Sequence, residues 1–591
     1  MTAARWGSWA DKGEGDMNVL QKAAHVVLLH GGSLLGSAFR SDYLAVARRG
    51  AQHSEKMLLK LLHASRNTEY GKKYGFADIK TVADYQDRVP LSEYGDYRDY
   101  IRRTAKDGTQ HLMTGHRVNY FAATSGTVGE PKLIPQTAEA YLPYFKCICI
   151  FLRSLVKSCR ARGVSSAVAR GLLVTEVSMQ PSEQMVDWGG KTRAGGISSY
   201  AAGGLKSVLP LFTAVPGELF GITEHADTKY VKALFCLREP DLKWMGGIFM
   251  SAVADQIAYI EAHHELLIHD IEAGTIDPSV AMSAGLRTRL ERKLRPDPRR
   301  AAELREIFST PSDVPLCNRI WKDMSFVCAI GTADFMPFTQ KVKAECSSDV
   351  GFHLGMYAAS EDSVGCALDT EQTAFLLLPD SGFFEFLPIP EECQALPERP
   401  LLMQELEVGK HYEIIITNLS GLYRYRIRDV IRVAGFAGQI PYIEFAYRAE
   451  YITNLCNIHL TGEELSAAVE QTAAALGVPF GDYCLFPDVA HVPPRLELFF
   501  ETDRPLSPAE LERAEALFDK ALDKCSEGYK LWGTERRVIG TSVLRPVTPG
   551  THMRYREERI AAGAPFNQLK AVRIIDTPER LEFFRAAEIR S

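Results

Sequence analysis

FAATSGTVGEPKLIPQ, residues 121–136, is the stretch from which the fold and chemistry of this chain are best inferred. It carries three hydroxyl side chains and two glycines within six positions. Glycine permits φ > 0 and lets backbone N–H groups approach a ligand closely, and successive N–H groups in such a turn form an anion-binding nest. Lys132 adds a mobile positive charge suited to phosphate. Apolar residues before this stretch and a helical pattern after it therefore predict a strand, a phosphate-binding loop and then a connection to a helix. The hydroxyls and glycines are Thr124, Ser125, Thr127, Gly126 and Gly129.

The specificity of this loop is limited when it is taken alone. A cluster of Ser, Thr and Gly is typical of an ordinary turn, and that interpretation stays open here. The spacing excludes a Walker loop because no G-K-[ST] follows, and no G-x-G-x-x-G occurs in the chain. The order hydroxyl–Ser–Gly–Thr–x–Gly–x–x–Lys is, however, similar to the phosphate loop of adenylate-forming enzymes.

Length and composition bound the remaining possibilities. With 591 residues the chain exceeds what one core holds, which predicts two or more domains. The net charge of −6 gives no general attraction to nucleic acid or to an anionic membrane, so neither is an expected partner. No run of residues is apolar enough to span a bilayer or to form a clear signal core. Twelve cysteines without a C-x-x-C pair indicate reduced thiols and a cytoplasmic location.

A change of composition near residue 447 divides the chain. Beyond it, Thr461 and Glu464 form a capping-box pattern at a helix start, followed by strand and helix patterns of a compact α+β module. A linker near residues 440–450 is expected to separate this module from the rest. The predicted division is an N-terminal extension with a helix at 1–37, a large domain at 38–440, a hinge at 441–452 that contains Arg448, and a mobile C-terminal domain at 453–591.

Four further clusters contain residues suited to chemistry. They are GMYAASE at 355–361, SGFFEFLP at 381–388, GLYRYRIRDVI at 421–431 and, near the end, NQLK at 567–570. Taken singly, the first three also have ordinary interpretations: a tight turn, a core strand, and an amphipathic strand with a cross-strand ion pair.

Taken in order, these clusters supply what activation of a carboxylic acid by ATP requires. Glu361 can coordinate Mg²⁺, which usually takes one or two protein carboxylates plus phosphate oxygens. Phe384 offers a flat face for adenine, and Asp429 can accept both ribose hydroxyls. The acid's oxygen would attack the α-phosphate while residues 124–127 hold the pyrophosphate, and Lys570 would add positive charge. Such chemistry depends mainly on positioning and charge neutralisation.

The motifs TSGTVGEPK, YAASE, FFEFLP, YRYRIRDVIRVAGF and NQLK, with VPLSEY upstream, resemble those of the auxin-responsive Gretchen Hagen family of acyl acid amido synthetases. The resemblance implies the firefly-luciferase-like adenylate-forming fold. This is an α/β fold with a large adenylating domain of mixed β-sheets, a β-barrel-like portion and flanking helices, plus a small mobile α+β C-terminal domain. It also implies a ligase that uses ATP and Mg²⁺ to adenylate a carboxylic acid and passes the acyl group to an amino acid, releasing AMP and pyrophosphate.

The resemblance also implies roles for individual residues. Ser125, Glu361 and Lys570 are the expected catalytic residues, with Glu361 the metal ligand and Arg448 in the hinge. The expected nucleotide-binding residues are Thr124, Ser125, Gly126, Thr127, Tyr357, Ser360, Phe384, Asp429 and Lys570.

Two positions depart from the pattern of this family. Ala359 stands where a serine is common, and Arg428 stands where a glycine usually precedes the ribose aspartate. If that glycine is needed for φ > 0, the end of the strand must differ here. Two alternatives therefore stay open: an adenylating ligase with a thiol acceptor (coenzyme A or a carrier protein), and a member that binds nucleotide or acyl ligand without catalysis.

Overall fold

The computed structural model shows a mixed α/β fold, in which the described residues form five sheets with flanking helices. The fold class predicted from the sequence is therefore confirmed. A large part extends to residue 448 and a smaller α+β part follows it. The described residues are 17–123, 132–175, 193–195, 208–220, 226–332, 335–389, 399–448, 453–456, 458–460, 462–535, 537–561 and 573–589.

Helices make up most of the first third of the chain and surround the sheets. A capping box starts the first helix, since the Asn18 side chain accepts from the Gln21 N–H. The helices of the large part are α1 (Val19–Ala47), α2 (Gly50–Ser65), α3 (Glu69–Lys73), α4 (Val82–Arg88), α5 (Tyr94–Arg102), α6 (Tyr141–Ala161), α7 (Leu209–Phe212), α8 (Thr228–Leu237), α9 (Met250–Ala273), α10 (Ala284–Glu291), α11 (Pro298–Ser309), α12 (Leu316–Ile320) and α13 (Met336–Ala344).

Helix α1 packs along α6 through a close backbone approach. A Cβ atom added at Gly36 would lie 2.0 Å from the backbone oxygen of Cys149, so only glycine fits at this crossing. The helix continues from Val19 to Ala47 and therefore runs across the domain boundary that the sequence predicted at residue 37.

Three sheets organise the large part. A four-stranded parallel sheet has the order β3-β5-β6-β7, a seven-stranded antiparallel sheet has the order β11-β12-β13-β14-β10-β9-β8, and a three-stranded sheet has the order β2-β1-β4. The strands are β1 (Val118–Ala123), β2 (Leu133–Thr137), β3 (Gly171–Leu173), β4 (Arg193–Gly195), β5 (Trp244–Phe249), β6 (Phe326–Ile330), β7 (Gly351–His353), β8 (Met356–Ala358), β9 (Ser363–Cys366), β10 (Phe375–Leu377), β11 (Gly382–Pro388), β12 (His411–Asn418), β13 (Tyr425–Ala437) and β14 (Ile440–Arg448).

The C-terminal part is a compact α+β module. Strand β18 lies at the centre of its three-stranded sheet, antiparallel to β17 and parallel to β19, and helices α14 and α15 pack against each other. Its elements are β15 (Thr453–Leu455), β16 (Ile458–Leu460), α14 (Gly462–Leu476), β17 (Phe480–Asp488), β18 (Arg495–Thr502), α15 (Pro508–Cys525), α16 (Glu527–Tyr529), β19 (Val543–Val547), α17 (Thr551–Ala561) and α18 (Pro578–Ala586).

Two large apolar clusters stabilise these layers. One lies between the seven-stranded sheet and the N-terminal helices and includes Leu61, Tyr97 and Ile414. The other lies around the four-stranded sheet and its helices and also takes in buried side chains of the C-terminal module, such as Leu465 and Phe500. Burial of this kind is the dominant favourable contribution to folding.

The predicted hinge at 441–452 begins too early. Residues 440–448 form strand β14, which pairs with β13 on one side and with β10 on the other. The linker was expected from the change of composition near residue 447, which does not mark the end of this strand. A paired strand cannot flex independently, so residues 441–448 of the predicted hinge belong to the sheet.

The cysteines and the helices bear on the environment of the chain. All eleven cysteines that the structure describes are free thiols, and nine of them are buried. Of the helices within the described residues, none combines the length and apolarity needed to cross a membrane.

Two buried histidines make the stability of the fold depend on pH. The His25 Nδ1 lies 3.1 Å from the Leu211 carbonyl oxygen, and its Nε2 accepts from the Ala169 N–H at 2.9 Å, which suits a neutral ring. Burial lowers the pKa of His25 to about 4, although the hydrogen bond to Leu211 opposes this. Burial likewise lowers the pKa of His353 to about 4, against the opposing charge of Asp369.

Because both folded-state pKa values lie below the unfolded value, these rings stabilise the fold above pH 6.5, and that contribution is lost as the pH falls towards 4. We expect the free energy of unfolding to be lower at pH 5 than at pH 7 by on the order of 2 kcal/mol for each histidine. Chemical denaturation at both pH values measures this difference. His25→Gln should lose about half of it, whereas His269→Gln, whose ring is exposed, should keep it all. A wild-type protein equally stable at both pH values would contradict the prediction.

Candidate active site

The predicted phosphate loop connects two paired strands. Residues 124–131, which include Thr124, Ser125, Gly126 and Thr127, lie outside the described residues, so their roles stay predictions. On either side, β1 and β2 pair antiparallel, with Ala123 opposite Leu133. The Leu133 N–H donates to the Tyr94 hydroxyl at 3.0 Å, which ties the hairpin to α5. The loop thus lies in a hairpin, and helix α6 follows β2 rather than the loop itself.

The segment of residues 357–361, which begins within β8 and continues past its end, is connected to three other parts of the fold. The Tyr357 hydroxyl donates to Asp429 Oδ2 on β13 at 2.7 Å. The Gln136 side-chain amide of β2 donates to the Ser360 carbonyl oxygen at 2.8 Å. The Asn418 side-chain amide at the end of β12 donates to the Glu361 carbonyl oxygen at 2.7 Å. The segment is therefore fixed relative to the phosphate-loop hairpin and to the strand that carries Asp429.

These contacts bring together predicted site residues that are far apart in sequence. Tyr357, Glu361 and Asp429 are all buried, at 8%, 6% and 7% exposure. The Tyr357 ring is held between Phe375 and Phe445, with ring centroids 6.1 and 6.0 Å apart. Packing therefore orients the Tyr357 hydroxyl towards the carboxylate before any ligand binds.

Arg428 keeps the backbone conformation that a glycine would have at this position. Its φ is +67°, in the left-handed region. The expectation that the strand end must differ is therefore wrong, because the arginine adopts the left-handed conformation itself. Its guanidinium forms an ion pair with Glu93 and lies 3.9 Å from Glu413.

One other predicted residue, Phe384, does not belong to this cluster. The Phe384 ring is 1% exposed and packs in the core around the seven-stranded sheet, so no face of the ring is open for stacking on adenine. Lys570 lies outside the described residues, so its role stays a prediction. Arg448 pairs with Asp429 in the β13–β14 register, at the last position of its strand.

Three further residues belong to the site although the sequence analysis did not single them out. The side-chain amides of Gln136 and Asn418 donate to the backbone carbonyl oxygens of Ser360 and Glu361. Every residue has a carbonyl oxygen, so such contacts leave no pattern of paired side chains in the sequence. Asp362 follows Glu361, and its Oδ1 accepts from the Ser363 N–H at 2.8 Å. Burial raises the pKa of the Asp362 carboxyl well above its usual range, and the charges of Asp380 and Glu361 add to this. A carboxyl shifted in this direction favours its neutral, protonated form.

The donor set of this cluster fits a nucleotide with Mg²⁺. Within the part of the chain that the structure describes, no group of three or more His, Cys, Asp or Glu side chains could hold a metal ion. Mg²⁺ does not need such a group, because it usually binds one or two carboxylates together with phosphate oxygens. Glu361 could supply that carboxylate, and the Tyr357–Asp429 pair could accept ribose hydroxyls, because one donated hydrogen bond does not saturate a carboxylate.

Comparison with protein families gives matches along most of the chain. The model described as the GH3 family N-terminal domain matches residues 40–350, the GH3 family central domain matches 375–448, and the GH3 family C-terminal domain matches 463–579. The central match ends at residue 448, where β14 ends.

Individual relatives cover almost the whole chain. A putative indole-3-acetic acid-amido synthetase, GH3.9 of Arabidopsis thaliana, is 25% identical over 565 residues, which are 90% of this chain and 92% of the relative. The jasmonoyl–L-amino acid synthetase JAR4 of Nicotiana attenuata is 23% identical over 551 residues, covering 90% and 92%. The solved structure of the AtGH3.15 acyl acid amido synthetase with 2,4-DB has a TM-score of 0.60 at 20% identity and covers 94% of this chain and 96% of that one. That likeness supports the fold.

The left-handed conformation of Arg428 yields a stability prediction. A Cβ atom at such a position costs about 1–2 kcal/mol, so Arg428→Gly should be about 1 kcal/mol more stable to unfolding than Arg428→Ala. Both variants lose the same ion pair, so the comparison isolates the backbone. At Arg432, which is not among the described residues with positive φ, the order should reverse, because glycine inside a strand is worse than alanine. Urea denaturation of the four variants measures this, and an alanine variant at 428 as stable as the glycine variant would refute it.

Proposed function

The chain belongs to the GH3 family, and on that premise we propose that it is an ATP-dependent ligase that joins a carboxylic acid to an amino acid through an amide bond. In the first step the acid's carboxylate oxygen attacks the α-phosphorus of ATP, and pyrophosphate leaves. In the second step the amine nitrogen of the amino acid attacks the acyl carbon, AMP leaves, and the amine proton passes to solvent. The net products are an amide, AMP and pyrophosphate.

The names of the relatives support an amine acceptor. One of the relatives named above is called an indole-3-acetic acid-amido synthetase and the other a jasmonoyl–L-amino acid synthetase, so the first name indicates an amide, the second an amino acid, and the two acids differ. This favours an amino acid over coenzyme A or a carrier-protein thiol as the acceptor in this chain. The identity of the acid does not follow, because the relatives' acids differ.

The observation that carries this proposal is the convergence of Tyr357, Glu361 and Asp429 beside the base of the phosphate-loop hairpin. Asp429 accepts the ribose hydroxyls, and the Tyr357 hydroxyl holds its carboxylate in place at 2.7 Å. Ser125 and its neighbours would bind the pyrophosphate portion. Mg²⁺, bound with Glu361, would neutralise phosphate charge. The protein thus contributes orientation and charge, which is the main source of catalysis in such reactions.

The C-terminal module is proposed to move during the reaction. A mobile domain needs a hinge, and the sequence prediction places Arg448, the last residue of β14, in it. Lys570, in this module, would add positive charge near the phosphate. Adenine would need a contact other than the buried Phe384 ring in the conformation seen here.

Location and partners complete the proposal. The free, mostly buried thiols suit a reducing compartment, so we place the protein in the cytoplasm. Its partners are the small-molecule acid and the amino acid, and the net charge of −6 favours neither nucleic acid nor membrane.

One of the two observations that suggested a non-catalytic member of the family no longer supports that alternative. Arg428 was the departure that suggested an altered nucleotide pocket, but its backbone retains the left-handed conformation next to Asp429. Ala359 remains different, yet its N–H still donates to the Asp362 carbonyl oxygen at 2.9 Å and keeps the turn closed.

A pyrophosphate-release assay with panels of acids and amino acids tests the function. We expect release that needs both substrates, and a product that withstands hydroxylamine, because amides resist it and thioesters do not. A product cleaved by hydroxylamine would assign a thiol acceptor. ATP binding measured by calorimetry without turnover on any acid would assign the non-catalytic alternative.

Asp429 should be the nucleotide contact most sensitive to mutation. Loss of a hydrogen bond to a charged group costs about 1.5–3 kcal/mol, so Asp429→Ala should raise the KM for ATP by about 10- to 100-fold. Tyr357→Phe removes only the hydrogen bond that holds the Asp429 carboxylate, so it should raise the KM for ATP by less. Steady-state kinetics with ATP as the varied substrate provides the measurement. Glu413→Gln on neighbouring β12 serves as a control whose KM should not change, and an unchanged KM in Asp429→Ala would contradict the assignment.

A further inference from the structure

Helix α1 has one buried face and one exposed apolar face. Its inner side packs against α6 and α7, where His25, Leu29 and Gly36 are buried. The described residues expose seventeen large apolar side chains, and six of them lie on the opposite side of α1, called here the outer face. A concentration of this kind marks an interaction surface, whereas single exposed apolar residues are ordinary. The six are Val19, Leu20, Val27, Leu28, Leu34 and Leu35.

The outer face repeats with the spacing of a helix-pairing seam. Leu20, Val27 and Leu34 are seven residues apart, and their side chains are 61%, 70% and 73% exposed. Ala24 and Gly31 lie between them, so successive positions are four and three residues apart. Residues at this alternating spacing lie along one side of a helix and form the contact line of paired helices. This spacing indicates a helix as the structure that the outer face receives.

The order of large and small side chains along this seam is the same in both directions from Val27. A small residue comes first on each side, Ala24 or Gly31, and a leucine follows it, Leu20 or Leu34. If a second copy runs antiparallel across a two-fold axis at Val27, each leucine meets the other leucine of that copy. Such self-complementarity is what a symmetric dimer requires. The small residues also let the two helix axes come close.

The outer face carries no fixed charge that would oppose this pairing. Between Ala23 and Phe39 the sequence contains no Asp, Glu, Lys or Arg. The Ser37 hydroxyl donates to the Ser33 carbonyl oxygen within the helix, so it needs no outside partner. Depletion of charged residues is typical of the core of a protein interface. A helix that lies on a membrane usually has many basic side chains beside its apolar face, so the pattern favours a protein partner.

The apolar area of the outer face sets the strength of the association. Complete burial of one Val or Leu side chain removes roughly 60–120 Å² of surface from water. Six partly exposed side chains therefore offer on the order of 300 Å² per copy. A standard stable interface buries about 800 Å² per partner. The outer face is therefore suited to a reversible dimer and is too small for a permanent one.

We propose that the outer face of α1 binds a second copy of this chain, with the two α1 helices antiparallel about a two-fold axis at Val27. The dimer is reversible and forms as the protein concentration rises. It does not depend on the proposed amide-forming reaction, because none of the predicted site residues lies on α1.

Sedimentation equilibrium of the full-length protein, from low micromolar to several hundred micromolar, tests the proposal. We expect the mass to rise from that of one chain towards that of two. Val27→Glu places two carboxylates opposite each other at the axis and should weaken dimerisation at least about 10-fold. Val408→Glu, in the turn before β12, is the charge-matched control, because its side chain is 60% exposed and lies off α1. The control should change the dissociation constant less than about two-fold.

Two mixing experiments test the geometry. Val27→Glu and Val27→Lys, mixed in equal amounts, should dimerise at concentrations at which each alone is monomeric, because opposite charges then meet at the axis. Leu20→Cys mixed with Leu34→Cys should form a disulfide between copies when oxidised glutathione accepts the two electrons. Neither cysteine variant alone should cross-link above the wild-type background. A parallel arrangement would instead cross-link each variant alone, and that result would overturn the antiparallel pairing.

Four other results would overturn the proposal. One is a wild-type protein that stays monomeric at every concentration, and another is a dimer that Val27→Glu leaves intact. The third is a monomer that sediments with vesicles of phosphatidylcholine and phosphatidylserine unless Val27 is changed to Glu, which would assign the outer face to a membrane. The fourth is a protein that dimerises only after removal of residues 1–16, which would assign the face to that segment. A failure of the amide-forming reaction would leave all of these measurements unchanged.

Discussion

A buried ion pair between Arg424 and Glu385 holds together the part of the molecule on which the candidate site depends. The guanidinium donates to both carboxylate oxygens at 3.0 Å and to the carbonyl oxygens of Gln86 and Val89 at the end of α4. The Gln86 side chain donates to the same carboxylate at 2.8 Å. Removing one partner of a buried pair leaves an uncompensated charge and typically costs about 3–5 kcal/mol. Because Arg424 directly precedes β13, this network sets the position at which that strand starts.

The first residues of strand β13 make three different kinds of contact. Its first residues are held by the buried pair, Arg426 and Arg428 form ion pairs with Glu413 and Glu93, and Asp429 accepts from the Tyr357 hydroxyl. Two arginines in this stretch, at 424 and 428, have positive φ. Their side chains are both engaged by glutamates, which offsets the unfavourable backbone conformation. The strand is also locally irregular, because its pairing with β12 and with β14 shows register shifts.

The sequence predicts much of this arrangement, because the order of the motifs along the chain is informative even though each motif alone is ambiguous. The α/β class and the α+β module after residue 453 agree with the structure, and the Tyr357 hydroxyl donates to Asp429. The roles predicted for Tyr357, Ser360, Glu361 and Asp429 stay predictions. Ordinary interpretations of the same motifs also hold. Phe384 fills the core, and a cross-strand ion pair joins Arg426 to Glu413.

Other features of the fold and the site could not be predicted from the sequence, for physical reasons. The change of composition near residue 447 indicated a linker, because the pairing of a strand on both sides is not visible in the sequence. Gln136 and Asn418 hold the site by donating to carbonyl oxygens, which every residue possesses. The left-handed backbone at Arg428 is imposed by neighbours, against the local preference of arginine.

The distribution of the thiols has a practical consequence for following this protein by spectroscopy. Of the eleven described cysteines, only Cys328 and Cys525 retain appreciable exposure. Cys525 ends α15 in the C-terminal module, and Cys328 lies in β6 of the large part. Burial raises the pKa of the Cys328 thiol to about 12, so among the described thiols a maleimide dye would react mainly at Cys525. Cys525 therefore offers one attachment point on the C-terminal module, and a second cysteine introduced into the large part would allow the distance between the two parts to be recorded over time.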